Sequence, residues 1–217
     1  MQEFSHIDTW VFDLDNTLYD AESHIFVEMG ARMNSFVAER LSLPLDQANI
    51  VRRDFFLKYG TTLRGLMTEH QIPPDDFLDY VHDFDISPVT PCPLTQSTLS
   101  RLDGRKVVFT NAQRSFALRM LDHLGIRHHF DGVFAIEDAA YWPKPRPETY
   151  SDFFKAHGVD PKRACMFEDM EINLKTAHDF GMTTVWFHGG QDNSIPDHVH
   201  HHANDLPAWL TRSFPKG

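Results

Sequence analysis

The chain has 217 residues, 41% of them hydrophobic, which is enough for one substantial core or for one core with a small inserted domain. Its 31 acidic and 20 basic residues give a net charge of −11, which argues against a nucleic-acid polymer as partner because binding a phosphate backbone requires clustered cations. No apolar run approaches the length of a membrane span and residues 1–4 lack the features of a signal peptide, so we expect a cytoplasmic protein without a membrane partner.

The first predicted element is a short strand, Thr9–Phe12, that stops at two aspartates. Residues 10–12 are apolar, as in a parallel strand buried on both faces. Asp13 and Asp15 follow two apart, so in an extended chain their carboxylates share one face. Open α/β sheets place active sites at this end of a strand, where two carboxylates can attack an electrophile, move a proton and hold Mg²⁺. The alternative is that Asp15 merely starts a turn or caps a helix.

Residues from about 20 to 91 interrupt the pattern of strands. Apolar residues recur there at helical spacing and Pro and Gly residues punctuate them, which predicts helices at 25–37, Leu45–Tyr59, Thr62–His70 and 75–81. We interpret residues 19–92 as an all-helical domain inserted after the first strand, with 88–93 as its return linker. Residues 1–18 and 93–217 then form the α/β core.

Strands and helices alternate after the insertion. Apolar runs predict strands at 106–109, 132–136, 164–167 and Thr183–Phe187. Helical patterns cover residues 116–124, 150–156 and 170–180, and each ends near a glycine. This alternation predicts a Rossmann-like parallel sheet with right-handed crossovers.

The two cysteines and a histidine cluster do not predict a structural metal site. Cys92 and Cys165 suggest neither a disulfide framework nor a zinc site. The cluster consists of His198, His200, His201 and His202. A metal site is one interpretation of these histidines, but we favour a polar edge segment because another helical pattern, 206–210, follows at once.

Polar residues also follow the second core strand and occupy a later loop. Thr110 and Asn111 end the strand just before a helix, and a hydroxyl and an amide there suit a phosphate; the alternative is an ordinary helix N-cap. Lys144 lies between two prolines that stiffen its backbone. A cation held there can balance a nucleophilic carboxylate and a transferring phosphoryl group, although most loop lysines are merely exposed. Arg146 is a weaker candidate of the same kind.

The fourth predicted strand again ends in acids, Glu168 and Asp169. Mg²⁺ takes one or two carboxylates together with phosphate oxygens and waters, so Asp169 beside Asp13 would complete a metal site. Glu168 would bind the metal directly or through water, and Asn173 would hold a metal-bound water. The alternative is a helix N-terminus with acids that suit the helix dipole.

These four elements, in this order, resemble the motifs of the haloacid dehalogenase superfamily of phosphohydrolases over nearly the whole chain. Residues 13–17 resemble its first motif, 109–111 its second, 144–145 its third and 168–169 its fourth. The inserted segment is similar to the superfamily's helical cap. Residues 15–19, 59–66 and 109–112 resemble the pyrimidine 5′-nucleotidase branch, whereas Asn173 stands where many members carry a further aspartate.

The resemblance implies a Mg²⁺-dependent phosphomonoesterase. Asp13 is expected to attack phosphorus and form an aspartyl-phosphate, and Asp15 to protonate the leaving alcohol and then activate water. The resemblance further implies that Thr110, Asn111 and Lys144 hold the phosphoryl oxygens. The metal ligands that it implies are Asp13, the carbonyl of Asp15, Asp169, and Glu168 directly or through water.

The expected partner is a small phosphorylated metabolite, in the first place a nucleoside monophosphate, with Thr61, Thr62 and Arg64 of the cap contributing to selectivity. One alternative is a phosphatase or phosphomutase for phosphoglycolate or a sugar phosphate. Another is a dehalogenase, which needs no metal and no acid at Asp15. The last is a non-catalytic module that binds a phosphorylated ligand, which need not keep a nucleophile at Asp13.

Overall fold

The computed structural model describes residues 4–21, 24–187 and 195–215. Six strands within them form one sheet: β1 Thr9–Phe12, β2 Arg105–Phe109, β3 Gly132–Phe134, β4 Ala164–Glu168, β5 Thr183–Phe187 and β6 His201–Ala203. Their order across the sheet is β3-β2-β1-β4-β5-β6, and every pairing is parallel. The predicted Rossmann-like α/β fold is confirmed, with β1 inside the sheet and its carboxyl end beside those of β2 and β4.

The five predicted strands are present, and a sixth was not predicted. Strand β3 ends at Phe134 rather than at residue 136, because the chain turns there: the amide of Asp138 donates to the carbonyl of Ala135. The sixth strand, β6, falls in the histidine cluster and pairs with the edge of β5. The pattern of apolar residues missed β6 because a short edge strand needs little apolar surface.

Nine α-helices accompany the sheet in the described residues. Five lie between β1 and β2: α1 Ile25–Leu41, α2 Leu45–Tyr59, α3 Thr62–His70, α4 Pro74–His82 and α5 Pro93–Leu99. The others are α6 Arg114–His123, α7 Pro147–His157, α8 Glu171–Asp179 and α9 Leu206–Ser213. Helix α5 was not predicted; it starts at Pro93, where the missing N–H of a proline costs a helix nothing. The described helices include none that is both long and apolar enough to cross a membrane. The division into a core and a cap at residues 19–92 stays a prediction.

The sheet is buried on both faces by alternating side chains of its central strands. On one face, Phe12 of β1 stacks on Phe167 of β4 with 4.5 Å between ring centroids. On the other face, Val11 lies in a second apolar cluster with Phe109 of β2 and Phe153 of α7. Because successive residues of a strand point to opposite faces, this packing fixes the register of β1 and hence the position of the residues that follow it.

Gly65 makes the close approach of α3 to α2 possible. A Cβ atom built on Gly65 would lie 2.2 Å from Cγ of Phe55, which is buried. We expect Gly65→Ala to lower the free energy of unfolding by about 1–3 kcal/mol, as overpacking does. Gly30 of α1 is the matched control, because a Cβ there meets no atom within 4 Å. Gly30→Ala should raise that free energy by about 0.5–1 kcal/mol. Urea unfolding of both variants checks this, and equal effects would show that the two helices do not meet at Gly65.

Candidate active site

Strand β1 places Asp13 at the carboxyl edge of the sheet. The amide of Asp13 donates to the carbonyl of Phe167 over 2.9 Å, which continues the pairing with β4 by one residue. Asp13 is buried and Asp15 half-buried. The chain then turns at Asn16, whose φ of 60° is left-handed, a conformation that asparagine tolerates better than most residues. A backbone bridge between Asp15 and Tyr19 closes this turn.

Lys144 joins the first and fourth predicted motifs. Its buried Nζ lies 2.7 Å from Oδ1 of Asp13 and 2.6 Å from Oε2 of Glu168, and it donates to the carbonyl of Phe109 over 2.9 Å. Asn111 fixes the lysine backbone, because its Oδ1 accepts from the Lys144 amide over 2.8 Å and its Nδ2 donates to the Lys144 carbonyl over 3.3 Å. The lysine that sequence analysis singled out is therefore a buried part of the acidic cluster.

The cluster holds more acid than its one lysine can balance. Burial by itself lowers the pKa of Lys144, but the charges and hydrogen bonds of Asp13 and Glu168 outweigh it and raise the pKa overall. Burial, with the charge of Glu168, raises the pKa of Asp13 well above its ordinary value. Burial raises the pKa of Asp15 to about 6, although a hydrogen bond from Tyr19 lowers it in part. Burial and the charge of Glu168 raise the pKa of Asp169 to about 7. Additional positive charge would therefore stabilise the ionised site.

Three carboxylates are close enough to share a metal ion. Within residues 4–21, 24–187 and 195–215, Asp13, Glu168 and Asp169 form the one group whose ligand atoms all lie within 4.8 Å of one another. An all-oxygen set of this kind suits Mg²⁺ better than zinc or copper. Both Glu168 oxygens already accept hydrogen bonds, from Lys144 and, over 3.2 Å, from the Met170 amide. Direct coordination thus suits Asp13 and Asp169 better than Glu168, and the ligand set stays a prediction.

Thr110 and Asn111, which were predicted to hold phosphate, differ in the hydrogen-bonding groups that remain free. The Thr110 hydroxyl is buried and accepts from the amide of Ala112 over 2.9 Å, so its own proton is left to donate. The Asn111 amide is engaged with Lys144 on both sides. The alternative N-cap role is wrong for both residues, because α6 begins at Arg114 with Gln113 before it. The carboxylate of Glu137 accepts from the Arg114 amide over 2.9 Å and 3.1 Å.

The residues of α3 that were proposed for selectivity lie beside the Lys144 loop. A Cβ on Gly60, just before α3, would lie 3.3 Å from Cγ of Pro143. Thr61 caps α3 by accepting from the amide of Arg64 over 3.1 Å, and Thr62 is buried. The guanidinium carbon of Arg64 lies 3.5 Å from the ring centroid of Trp142. In this structure the guanidinium of Arg64 therefore stacks on Trp142, and its described contacts do not include the acidic cluster.

Of two further predicted candidates, Arg146 binds partners other than the acidic cluster and Asn173 is buried. Arg146 also stacks on Trp142, with 3.9 Å from its guanidinium carbon to the ring centroid, and pairs with Glu148 over 2.9 Å. Asn173 is buried in α8. Neither contact of Arg146 involves a carboxylate at the strand ends, so its phosphate-binding role loses support.

The histidine cluster lies at the sheet edge. His198 pairs with Glu171 of α8, and Nδ1 of His200 is 2.8 Å from the hydroxyl of Thr184. The predicted polar edge segment is confirmed, because β6 begins at His201, contains His202 and lies at the edge of the sheet.

Sequence reasoning missed three residues that hold the acids in place. The Tyr19 hydroxyl donates to Oδ1 of Asp15, and Nδ2 of Asn16 donates to Oδ2 of Asp169 over 3.3 Å. The indole N–H of Trp186 donates to the carbonyl of Asp169 over 2.8 Å. Asn16 belongs to the first motif and Tyr19 lies two residues beyond it, so their proximity to Asp15 in the sequence was a usable signal. Nothing in the sequence around Trp186 pointed to Asp169.

Comparison with known proteins identifies the family. A family model described as haloacid dehalogenase-like hydrolase matches residues 7–181, most of the chain, and this range contains all four acidic, polar and lysine elements of the site. The chain belongs to the haloacid dehalogenase-like hydrolases. The predicted superfamily is thereby confirmed, whereas the nucleotidase branch within it is not.

Several curated relatives of this haloacid dehalogenase-like hydrolase are named as phosphatases. It is 27% identical over 192 residues to phosphate metabolism protein 8 of Saccharomyces cerevisiae, with 80% of this chain and 59% of that protein covered. It is 34% identical over 99 residues to fructose-1-phosphate phosphatase YqaB of Escherichia coli, with 45% and 52% covered. It is 26% identical over 189 residues to phosphoglycolate phosphatase of Mesorhizobium japonicum, with 81% and 80% covered. The chain thus spans between half and three fifths of the first two relatives.

Solved structures share the fold. A phosphatase of this family from Thermococcus onnurineus has a TM-score of 0.67 and 18% identity, with 96% of this chain and 98% of that chain covered. A dehalogenase structure has a TM-score of 0.61 and 17% identity, with 98% and 99% covered. Because phosphatase and dehalogenase structures match almost equally well, the fold alone does not choose between the two reactions.

Proposed function

We propose that this hydrolase is a Mg²⁺-dependent phosphomonoesterase that acts through an aspartyl-phosphate on Asp13. The observation that carries the proposal is the buried Lys144 ammonium between Asp13 and Glu168, with Asp15 and Asp169 beside them. A nucleophilic carboxylate, a cation for the transferring group, and acids that can hold a metal are the parts that this reaction needs.

In the proposed first step an Asp13 oxygen attacks phosphorus and the ester P–O bond breaks. The leaving alkoxide takes a proton from Asp15, whose pKa of about 6 suits a general acid near neutral pH. In the second step water attacks phosphorus and gives a proton to Asp15, and the electron pair of the broken P–O bond returns to Asp13. Lys144 and the Thr110 hydroxyl hold phosphoryl oxygens. Bound through Asp13, Asp169 and the carbonyl of Asp15, Mg²⁺ would neutralise the phosphate charge that otherwise repels the nucleophile.

The rival activities on this fold use fewer of these residues. A dehalogenase needs neither a metal nor an acid at Asp15, so the close group of Asp13, Glu168 and Asp169 would have no role. A module that only binds phosphate has no use for a nucleophile beside a buried lysine. Transfer to a sugar instead of water would need the same first step, and it is separated from hydrolysis by measuring free phosphate.

For the substrate we propose a pyrimidine nucleoside 5′-monophosphate, selected in part by Thr61, Thr62 and Arg64 of an inserted helical cap at residues 19–92. The support is the similarity of residues 59–66 to the nucleotidase branch and the position of α3 against the Lys144 loop. Phosphorylated sugars and phosphoglycolate are the second candidates, because two curated relatives are named for them.

A panel of phosphate esters tests this substrate proposal. We expect kcat/KM with Mg²⁺ to be higher for UMP and CMP than for AMP, fructose 1-phosphate or phosphoglycolate. Arg64→Ala should lower kcat/KM for UMP by about 10-fold, which is the order of one lost stacking or polar contact. It should leave kcat/KM for p-nitrophenyl phosphate unchanged. The matched control is Arg40→Ala, which removes an exposed guanidinium paired with Asp76 over 3.1 Å. Preference for a sugar phosphate would replace the nucleotide proposal, and equal losses on every ester would make Arg64 structural.

A further inference from the structure

The hydroxyl of Tyr19 has one hydrogen-bond acceptor, and it is the carboxylate of the proposed general acid. Tyr19 is 8% exposed, and its Oη donates to Oδ1 of Asp15. Within the described part of the chain, no other hydrogen bond to that carboxylate is found. The backbone bridge between Asp15 and Tyr19 holds the two residues together independently of their side chains.

We propose that Tyr19 is a positioning residue that fixes the Asp15 carboxyl group and assigns the proton transfers to its Oδ2 atom. The phenol occupies Oδ1 as a donor, so Oδ2 is the oxygen left to carry the transferred proton. This inference rests on the phosphomonoesterase mechanism proposed above and adds the residue that orients its acid.

The two chemical steps place different demands on this orientation. In the first step the P–O bond to the leaving group breaks as Oδ2 gives its proton to the leaving oxygen, so a poor alkyl leaving group depends on a well-placed acid. In the second step water forms the new P–O bond and gives its proton back to Oδ2 as the bond to Asp13 breaks. The phenol O–H keeps its own proton in both steps, because it acts only as a donor to Oδ1.

Tyr19→Phe removes the hydroxyl and keeps the ring, which makes it the direct test. With the alkyl phosphate that the wild type hydrolyses fastest, kcat should fall by about 10- to 100-fold, part of the 10²–10⁴ typical of a general acid, with KM changed by less than about threefold. With p-nitrophenyl phosphate, whose leaving group needs little acid, the first step should be nearly unchanged. A burst of p-nitrophenolate and accumulated phosphoenzyme should then appear.

Tyr141→Phe is the matched control, because the Tyr141 hydroxyl also donates to a carboxylate, that of Asp75 over 3.4 Å, but on the exposed surface. It should leave kcat on both esters unchanged. A double-mutant cycle adds a second readout, taken on variants whose thermal unfolding matches that of the wild type. If Tyr19 acts through Asp15, then Asp15→Asn and Asp15→Asn/Tyr19→Phe should have the same kcat on the alkyl ester.

The outcomes separate this inference from the function on which it rests. A wild-type protein that releases no phosphate from any ester would remove both. An active wild type whose Tyr19→Phe variant loses the same factor in the first step, the release of the leaving group, on alkyl and p-nitrophenyl esters, or matches the wild type on both, would overturn the role of Tyr19 alone. Additive losses in the double-mutant cycle would also overturn it, because Tyr19 would then act independently of Asp15.

Discussion

Replacing Asp13 by asparagine should abolish phosphate release while leaving the fold intact. The substitution keeps the shape of the side chain and removes the attacking charge, so kcat should fall by at least about 10⁴-fold, the scale seen when a nucleophile is deleted. The melting temperature should not fall, because Lys144 keeps Glu168 as a partner and burial already disfavours the Asp13 carboxylate. Initial rates with a saturating phosphate ester, alongside thermal unfolding, measure both effects.

The control for this change is Asp8→Asn, which replaces an exposed carboxylate just before the N-terminal end of β1. Asp8 pairs with Arg163 over 2.6 Å, far from the acidic cluster in the strand direction, and its loss should leave kcat within about twofold, since exposed ion pairs contribute little. Removing divalent cations from the wild type with a chelator should reproduce the loss seen in Asp13→Asn, and added Mg²⁺ should restore activity. Turnover near the wild-type rate in Asp13→Asn, or in chelator, excludes the proposed mechanism.

Lys144→Met should damage both activity and stability. The methionine fills similar space but leaves Asp13 and Glu168 buried without the cation that lies 2.7 Å and 2.6 Å from them. Breaking a buried ion pair on one side typically costs about 3–5 kcal/mol, and removing one group that stabilises transition-state charge costs about 10²- to 10³-fold in kcat. Unfolding in urea and rates at saturating substrate give the two values.

Mg²⁺ should restore part of the stability of Lys144→Met, because a divalent cation on the same carboxylates reduces their repulsion, but it should not restore the rate. Lys58→Met is the matched control: its ammonium pairs with Glu69 over 2.7 Å on the surface, and we expect no change in kcat. A Lys144→Met variant that unfolds at the same urea concentration as the wild type and retains more than a tenth of its rate would contradict the assigned role.

The sequence predicted the sheet well because buried parallel strands consist of short apolar runs. Thr9–Phe12 and Thr183–Phe187 were placed to the residue, since turns or acids bound them sharply. Strand β6 and helix α5 were missed for different reasons. Strand β6 is a short polar strand at the sheet edge and has no apolar pattern. Helix α5 has only seven residues and begins at Pro93, within a proline-rich stretch that was interpreted as a linker.

The closeness of Asp13 to Glu168 and Asp169 was predictable, because these residues stand at strand ends whose neighbours in space follow from the topology. The partners of polar side chains away from the strand ends were not predictable. Asn111 was expected at a phosphate, and its side chain holds the Lys144 backbone; Arg64 was expected to contribute to selectivity, and its guanidinium stacks on Trp142. Both contacts join residues more than 30 positions apart, and a single sequence carries no record of which distant partner a polar side chain takes.

The double hydrogen bond between Asn111 and the backbone of Lys144 has a consequence for the position of the lysine charge. The two residues are 33 positions apart, yet one amide side chain sets where the lysine loop lies. A substitution at Asn111 therefore moves the cation of another motif, because the backbone that carries Lys144 loses both bonds. The side chain at 144 is constrained separately, by its pairs with Asp13 and Glu168. The second and third motifs thus form one structural unit, in which one residue sets the position of the backbone and the other supplies the charge.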